Sequence, residues 1–211
     1  QLIVLYGRRR VGKTTLIKSM VRKFLLENPK DNILCITYTN RAADELAVDL
    51  KSDHIFIGTI HSFLHSYMRP YFAHSDILKL YFEQYGEALK QRIENAAGDA
   101  HIAESNEKYE KRFGKIDYET VQMGITEIFY NESAFNSLYY GGLSHDDLIG
   151  FSKCIIDHFP IIRKRISQRY QHIFIDEYQD ATADGLNIFC DAVAGTSSQL
   201  YLFGDRMQQI Y

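Results

Sequence analysis

The sequence predicts an α/β fold: a parallel sheet with helices on both faces and a helical subdomain inserted into it. Three observations predict this. Short apolar runs rich in β-branched and aromatic residues recur along the chain, amphipathic helical stretches alternate with them, and one long helical stretch breaks the alternation.

The strand candidates are Leu2 to Tyr6, Ile33 to Tyr38, His54 to Ile57, His172 to Ile175 and Leu200 to Phe203. Each is apolar nearly throughout, without clean alternation, which is the pattern of parallel strands buried on both faces. After the first run, Leu16, Ile17, Met20, Val21, Phe24 and Leu25 recur at spacings of three and four, so they share one helix face that Asn28-Pro29 terminates. Further helices are expected over Ala42 to Leu50 and Ala181 to Val193. From about Phe63 to Tyr170 the chain reads helical and is rich in Tyr, Phe, Glu and Lys, with Ser144 and Asp147 spaced as a capping box. A crossover between neighbouring strands needs far fewer residues. Residues 63–142 are therefore expected to form the inserted helical subdomain, and 1–62 with 143–211 the core. Most of the insert's aromatics are expected to be core.

Composition narrows the class. At 211 residues, 45% hydrophobic and 24% charged, the chain can bury a sizeable core. No apolar run approaches the roughly 18 residues that span a bilayer, and Arg8-Arg9-Arg10 follows the short apolar opening, the reverse of a signal peptide's charge order. Three scattered cysteines, Cys35, Cys154 and Cys190, suit a reducing, cytoplasmic setting, with Cys35 and Cys190 expected as buried free thiols. The net charge of −3 does not advertise nucleic-acid binding, although a local basic groove is compatible with it.

The chemistry starts at Gly7-Arg8-Arg9-Arg10-Val11-Gly12-Lys13-Thr14, which fits G-x-x-x-x-G-K-[ST] between a strand and a helix, the phosphate-binding loop of P-loop NTPases. Gly7 and Gly12 permit tight backbone angles, so successive N–H groups can form an anion nest, and the helix N-terminus adds its positive end. Lys13 would reach the β- and γ-phosphates and Thr14 would ligate Mg²⁺, with Thr15 beside them. The three arginines are either solvated or add positive field; the first is favoured because the backbone makes the nest. Across the site, Asp176 at the end of an apolar run would hold Mg²⁺ through water, and Glu177 would polarise an attacking water. If all five strands are parallel, the segments after them fall on one sheet edge, where doubly wound folds bind ligands.

Together these segments resemble the UvrD/Rep-like helicases of superfamily 1. The resemblance rests on Thr37-Tyr38-Thr39-Asn40-Arg41-Ala42-Ala43, Gly58-Thr59-Ile60-His61-Ser62, Leu143-Ser144-His145-Asp146-Asp147-Leu148, Asp176-Glu177-Tyr178-Gln179-Asp180 and Gly204-Asp205-Arg206-Met207-Gln208-Gln209-Ile210-Tyr211, in the family's order. It implies a RecA-like, ATP-binding motor domain coupling Mg-ATP hydrolysis to movement on single-stranded DNA. Gln208 and Gln179 would sense the γ-phosphate. Thr39, Asn40, Thr59 and His61 would line the DNA track, with Tyr38 either near a base or a core aromatic. His61 and His65 are spaced as a ligand pair, but no third ligand is evident. ATP over GTP follows from the resemblance alone.

Departures are informative. The family usually has small residues where Arg8 to Arg10 stand, and its upstream adenine-recognising glutamine motif has no counterpart here. A second motor domain or partner subunit supplying arginine fingers is expected for full turnover, so this chain by itself should hydrolyse ATP poorly. The short insertion is similar to that of compact UvrD-like helicases, including those of Gabija-type antiphage systems. The other reading is a nucleotide-dependent switch or binding module in a larger assembly.

Overall fold

Five runs of the chain form strands that all point the same way. In this computed structural model, which describes residues 1–7, 12–95, 98–130 and 138–205, β1 (Leu2–Tyr6), β2 (Ile33–Thr37), β3 (Ile55–Thr59), β6 (His172–Ile175) and β7 (Gln199–Gly204) make one sheet in the order β1-β7-β6-β2-β3. Every pairing is parallel, with Val4 opposite Leu202, Ile173 opposite Leu200 and Leu34 opposite Ile173. The described residues divide into two compact units, 1–64 with 152–211, and 65–151.

In the first unit, α1 (Lys13–Glu27) and α2 (Asn40–Ala47) cover one sheet face. Ile17 and Val21 from α1 and Leu46 from α2 pack there with Ile33, Cys35, Phe174, Tyr201 and Phe203. Phe174 and Tyr201 stack at 4.7 Å between ring centres. Leu16, expected on the buried stripe of α1, is instead exposed. α8 (Pro160–Arg169) and α9 (Ala183–Val193) pack on one another; Phe63, in α3 (Ile60–Met68), meets Phe189 and Tyr170 at 5.7 and 6.0 Å between centroids.

One strand departs from expectation. Val4, Leu2 and Tyr6 are 36%, 52% and 58% exposed, while Ile3 and Leu5 turn towards the core. β1 is the sheet's edge strand, and the face that carries Leu2, Val4 and Tyr6 is open to solvent. An apolar run does not reveal this, because an edge strand and a central one can share the same composition.

Local chemistry sets the helix ends. The Thr39 hydroxyl caps α2 through the Ala42 N–H at 3.2 Å, so the helix starts two residues earlier than the hydrophobic pattern indicates. Thr182 caps α9 through the Gly185 N–H. β3 passes into α3 with no loop between them; a Cβ on Gly58 would lie 2.5 Å from the Ser62 hydroxyl and 3.0 Å from the Phe56 ring, so a larger residue there would displace one of them. Cys35 is buried as expected and its thiol is pushed up to about 12, chiefly by burial; Cys190, expected to be buried, is only half-buried, as is Cys154, and none of the three forms a disulfide.

The second unit carries α4 (Ser75–Glu94), α5 (Ala100–Phe113), α6 (Tyr118–Gly124), the two-residue strands β4 (Phe129–Tyr130) and β5 (Gly142–Leu143), and the start of α7 (His145–His158). Ser144 and Asp147 form the expected reciprocal box: each backbone N–H reaches the other's side chain, at 3.4 and 3.2 Å. Among its described aromatics, Phe72, Tyr81, Tyr109, Tyr139 and Phe151 are buried, with Tyr81 against Phe151 at 5.8 Å and Tyr109 against Tyr139 at 6.0 Å, whereas Phe113, Phe129 and Tyr140 are exposed and the others half-buried, so fewer of them are core than the sequence suggests.

These placements separate two substitutions of similar sequence context. Phe174→Ala should lower the free energy of unfolding by about 3–5 kcal/mol, and Val4→Thr by no more than about 0.5 kcal/mol. Urea denaturation followed by circular dichroism reads both; equal losses would mean that β1 is buried on both faces.

Candidate functional site

Parallel strands bring their carboxyl ends to one edge, and three of them deliver the site. β1 ends at Gly7, whose N–H donates to the Gly204 carbonyl of β7 at 3.0 Å. α1 starts at Lys13 behind Gly12, which sits at φ 81°, a left-handed angle suited to glycine. β6 ends at Asp176, whose N–H donates to the Ile36 carbonyl at 3.0 Å.

The side chains then connect across the edge. Lys13 Nζ lies 3.0 Å from Glu177 Oε2 and 3.4 Å from the Gly7 carbonyl. Gln179 Nε2 donates to the same Glu177 oxygen at 2.8 Å, while Gln179 Oε1 accepts the Asp205 N–H at 3.1 Å. Loops from α1, β6 and β7 are therefore tied by one chain of polar contacts. Glu177 occupies φ 49° and ψ 45°, the one non-glycine at positive φ among the described residues. That conformation costs on the order of 1 kcal/mol or more, and it aims the carboxylate at Lys13 and Gln179.

Gly204 and Tyr178 explain how the tie is held. Tyr178 is buried, its ring edge-on to Tyr6 at 6.4 Å between centroids. A Cβ on Gly204 would stand 2.5 Å from both the Tyr178 ring and Gln179 Oε1. The glycine thus lets β7 approach the acidic loop closely. Sequence reading assigned no site role to Gly204 or to the Asp205 N–H; their signal was the Gly-Asp pair directly after an apolar strand.

Asp176 is 6% exposed, and its carboxyl is pushed from 3.8 up to about 6. Burial is the main cause and the Glu177 charge the second, while the Glu177 N–H, donating to Asp176 Oδ1 at 3.0 Å, and Lys13 pull the other way. A buried carboxylate short of positive charge is a fitting ligand for a divalent cation, with the half-buried Thr14 in the first turn of α1. No cluster of three or more His, Cys, Asp or Glu able to hold a metal occurs among the described residues, including around His61 and His65. Leu5, Tyr6, Gly7, Gly12, Lys13, Leu16 and Phe203 line a cavity of about 370 Å³, within the size range of small-molecule sites. A wider depression of about 750 Å³ lies elsewhere, along the outer face of α1, where Thr15 is exposed and Lys18 pairs with Asp49 at 2.7 Å.

The expected DNA-track residues follow β2 and β3 on this edge. Thr39 caps α2 and Asn40 is that helix's exposed first residue. Thr59 Oγ1 accepts the Ser62 N–H at 3.2 Å, so both threonine hydroxyls have structural duties. Thr37, which sequence reading overlooked as a positioning group, donates to the Thr39 carbonyl at 3.1 Å. His61 is half-buried in the first turn of α3. Tyr38 is also half-buried; its hydroxyl is buried without a hydrogen-bond partner among the described residues, and burial with the Asp180 charge pushes its pKa up. Arg8, Arg9, Arg10, Val11 and Gln208 lie outside the described residues.

Comparison with known proteins follows the same segments. The family described as UvrD/REP helicase N-terminal domain matches residues 11–211. Gabija protein GajB of Bacillus cereus strain HuB5-5 is 23% identical over 92% of this chain and 38% of its own length. ATP-dependent DNA helicase UvrD1 of Mycobacterium tuberculosis strain H37Rv is 26% identical over 85% of this chain and 27% of its own length. DNA helicase II of Haemophilus influenzae is 25% identical over 95% of this chain and 31% of its own length. The chain thus spans about a third of these curated relatives. No helix among the described residues is long and apolar enough to cross a membrane.

The Asp176 environment predicts a stability gain on neutralisation. The folded state holds this proton more tightly than the unfolded state does. Its contribution to stability is therefore full below the unfolded carboxylate pKa and is lost as pH rises through about 6. Asp176→Asn should stabilise the chain at about pH 8 by about 1–3 kcal/mol, a gain that fades towards about pH 4. Thermal melts at both pH values read the difference; a pH-independent gain would refute the assignment. Gly204→Ala should instead cost about 1–3 kcal/mol at either pH, because Tyr178 or Gln179 must move.

Proposed function

Because the chain belongs to the UvrD/REP helicase N-terminal domain family, we infer that it is the ATP-binding motor domain of a UvrD-like DNA helicase or translocase, a RecA-like P-loop core coupling Mg-ATP hydrolysis to movement on single-stranded DNA. The observation that carries this reading is the Lys13–Glu177–Gln179–Asp205 chain of contacts across the sheet edge. The inserted helical subdomain, expected over residues 63–142, corresponds in this reading to the compact unit 65–151, which extends further into α7.

The roles follow from the contacts. A γ-phosphate near the α1 N-terminus competes with Glu177 for the Lys13 ammonium. As Lys13 turns to the phosphate, the Glu177 carboxylate is left to accept a proton from the attacking water, with Gln179 holding it in place. Gln179 also ties Glu177 to the Asp205 N–H, so a shift in the segment after β7, which carries Gln208, reaches the general base directly. Thr14 and Asp176 would hold Mg²⁺, which supplies charge neutralisation at the phosphates. Gly7 to Thr15 form the phosphate site in this reading. Tyr38, Thr39, Asn40, Thr59 and His61 face the single strand. A second motor domain or partner subunit contributes arginine fingers, and the protein works in the cytoplasm.

The similarity to GajB favours a second reading, a nucleotide-dependent switch within a larger assembly. The two readings separate experimentally in the intact protein. A motor predicts ATP hydrolysis stimulated by single-stranded DNA, lost by at least about 10³-fold in Lys13→Ala and Glu177→Gln, with Glu177→Gln still binding ATP. Turnover indifferent to DNA, together with ATP-dependent partner binding that persists in Glu177→Gln, would replace the motor by the switch.

A further inference from the structure

The chain's charge is unevenly spent. On α1, α4, α5 and α7, Lys18, Lys23, Lys79, Lys108, Lys111 and Lys153 each close on a carboxylate within 4 Å. α8 is different. It carries Arg163, Lys164, Arg165 and Arg169, and from His158 to Ile175 the sequence has no Asp or Glu at all, although the whole chain is net negative. Arg163, Lys164 and Arg169 make no salt bridge among the described residues.

α8 shows why these cations face outward. Ile162, Ile166 and Ser167 are buried against the unit's core, which leaves Lys164, Arg165, Gln168 and Arg169 exposed and Arg163 half-exposed. α8 precedes β6 and so ends at the amino edge of the sheet, the edge opposite the Lys13–Glu177 contacts. Arg163, Lys164 and Arg169, like charges held within two turns of one helix, repel one another, and that cost is recovered when a polyanion neutralises them.

We propose that the exposed face of α8 is a docking surface for the phosphodiester backbone of duplex DNA, separate from the single-strand track. The inference rests on the reading of the chain as a DNA motor. Duplex is favoured by charge density, since both strands together present one charge per about 1.7 Å of axis, twice that of one strand. Single-strand sites add aromatic platforms, and here Tyr170, over which Arg169 lies at 5.3 Å, is buried, and Phe159 at the start of the helix is half-buried. An interface with a protein would be expected to centre on aromatic or apolar anchors with few charges, whereas Ile161 is the one large apolar residue exposed on this helix.

The test is the salt dependence of duplex binding by the intact protein without nucleotide, measured by fluorescence anisotropy with a short blunt duplex. Arg163→Ala/Lys164→Ala/Arg169→Ala should weaken binding about tenfold or more and flatten the slope of log K against log salt by roughly 2–3. The exposed-only pair Lys164→Ala/Arg169→Ala should lose a smaller share and guards against misfolding of the triple variant. Arg163→Lys/Arg169→Lys should bind as the parent does. An unchanged slope in the folded pair variant would overturn the proposal, as would displacement of the duplex by polyglutamate at equal charge concentration, which would assign the face to an acidic protein. Single-strand-stimulated ATP hydrolysis should be untouched in all three variants. Its absence in the parent protein would instead overturn the motor reading, while the duplex measurement is read independently of it.

Discussion

Strands that all run the same way can end only on one edge, and everything that distinguishes this chain chemically depends on that constraint. Lys13 and Glu177 are 164 residues apart in sequence and 3.0 Å apart in space. Nothing local brings them together. They meet because β1 is joined to β6 through β7 in one parallel sheet, so the turn after each strand opens in the same direction. The inserted unit between β3 and β6 leaves this arrangement intact, since a parallel crossover sets a minimum length for its connection and no maximum.

The same edge gathers the sheet's least comfortable groups. Glu177 sits in a left-handed backbone conformation, Asp176 is a buried carboxyl whose ionisation is opposed by burial and by its neighbour, and Gly204 is pressed against Tyr178 and Gln179. Each opposes stability, and the strands behind them offset it: Ile173, Phe174, Ile175, Leu200 and Phe203 are almost wholly buried. A rigid apolar sheet thus holds a polar edge that would not assemble by itself. Strain concentrated where the chemistry is proposed to occur is expected when function and stability pull in opposite directions.

Much of this was legible in the sequence, for physical reasons. Apolar runs of four to six residues mark the strands, because a parallel strand has little solvent-facing surface, and the glycine–lysine spacing at Gly7 to Thr14 is what the proposed phosphate loop rests on. Other features were not legible. Leu2, Val4 and Tyr6 read as buried, since composition does not say that β1 is an edge strand with an open face. The tether from Gln179 to the Asp205 N–H was invisible, because a backbone donor has no sequence signature. The capping duties of Thr39 and Thr59 were hidden for a related reason: a hydroxyl that caps a helix and one that meets a ligand are the same residue type.

Net charge was the weakest guide of all. A total of −3 averages a carboxylate-rich chain with one helix, α8, that has cations and no acids. Electrostatic recognition depends on the local field, which decays over about 10 Å at ordinary salt. Over that distance Arg163, Lys164 and Arg169 act together, set against Asp184 and Asp191 of the neighbouring α9, of which Asp191 is paired with Lys153. Lysines on other elements more often sit against a carboxylate, as Lys108, Lys111 and Lys153 do. A mildly acidic chain can therefore carry a local basic face, which is what the proposed docking of duplex DNA on α8 requires. α8 ends at the amino edge of the sheet, so Arg169 lies away from the edge that carries Lys13 and Glu177.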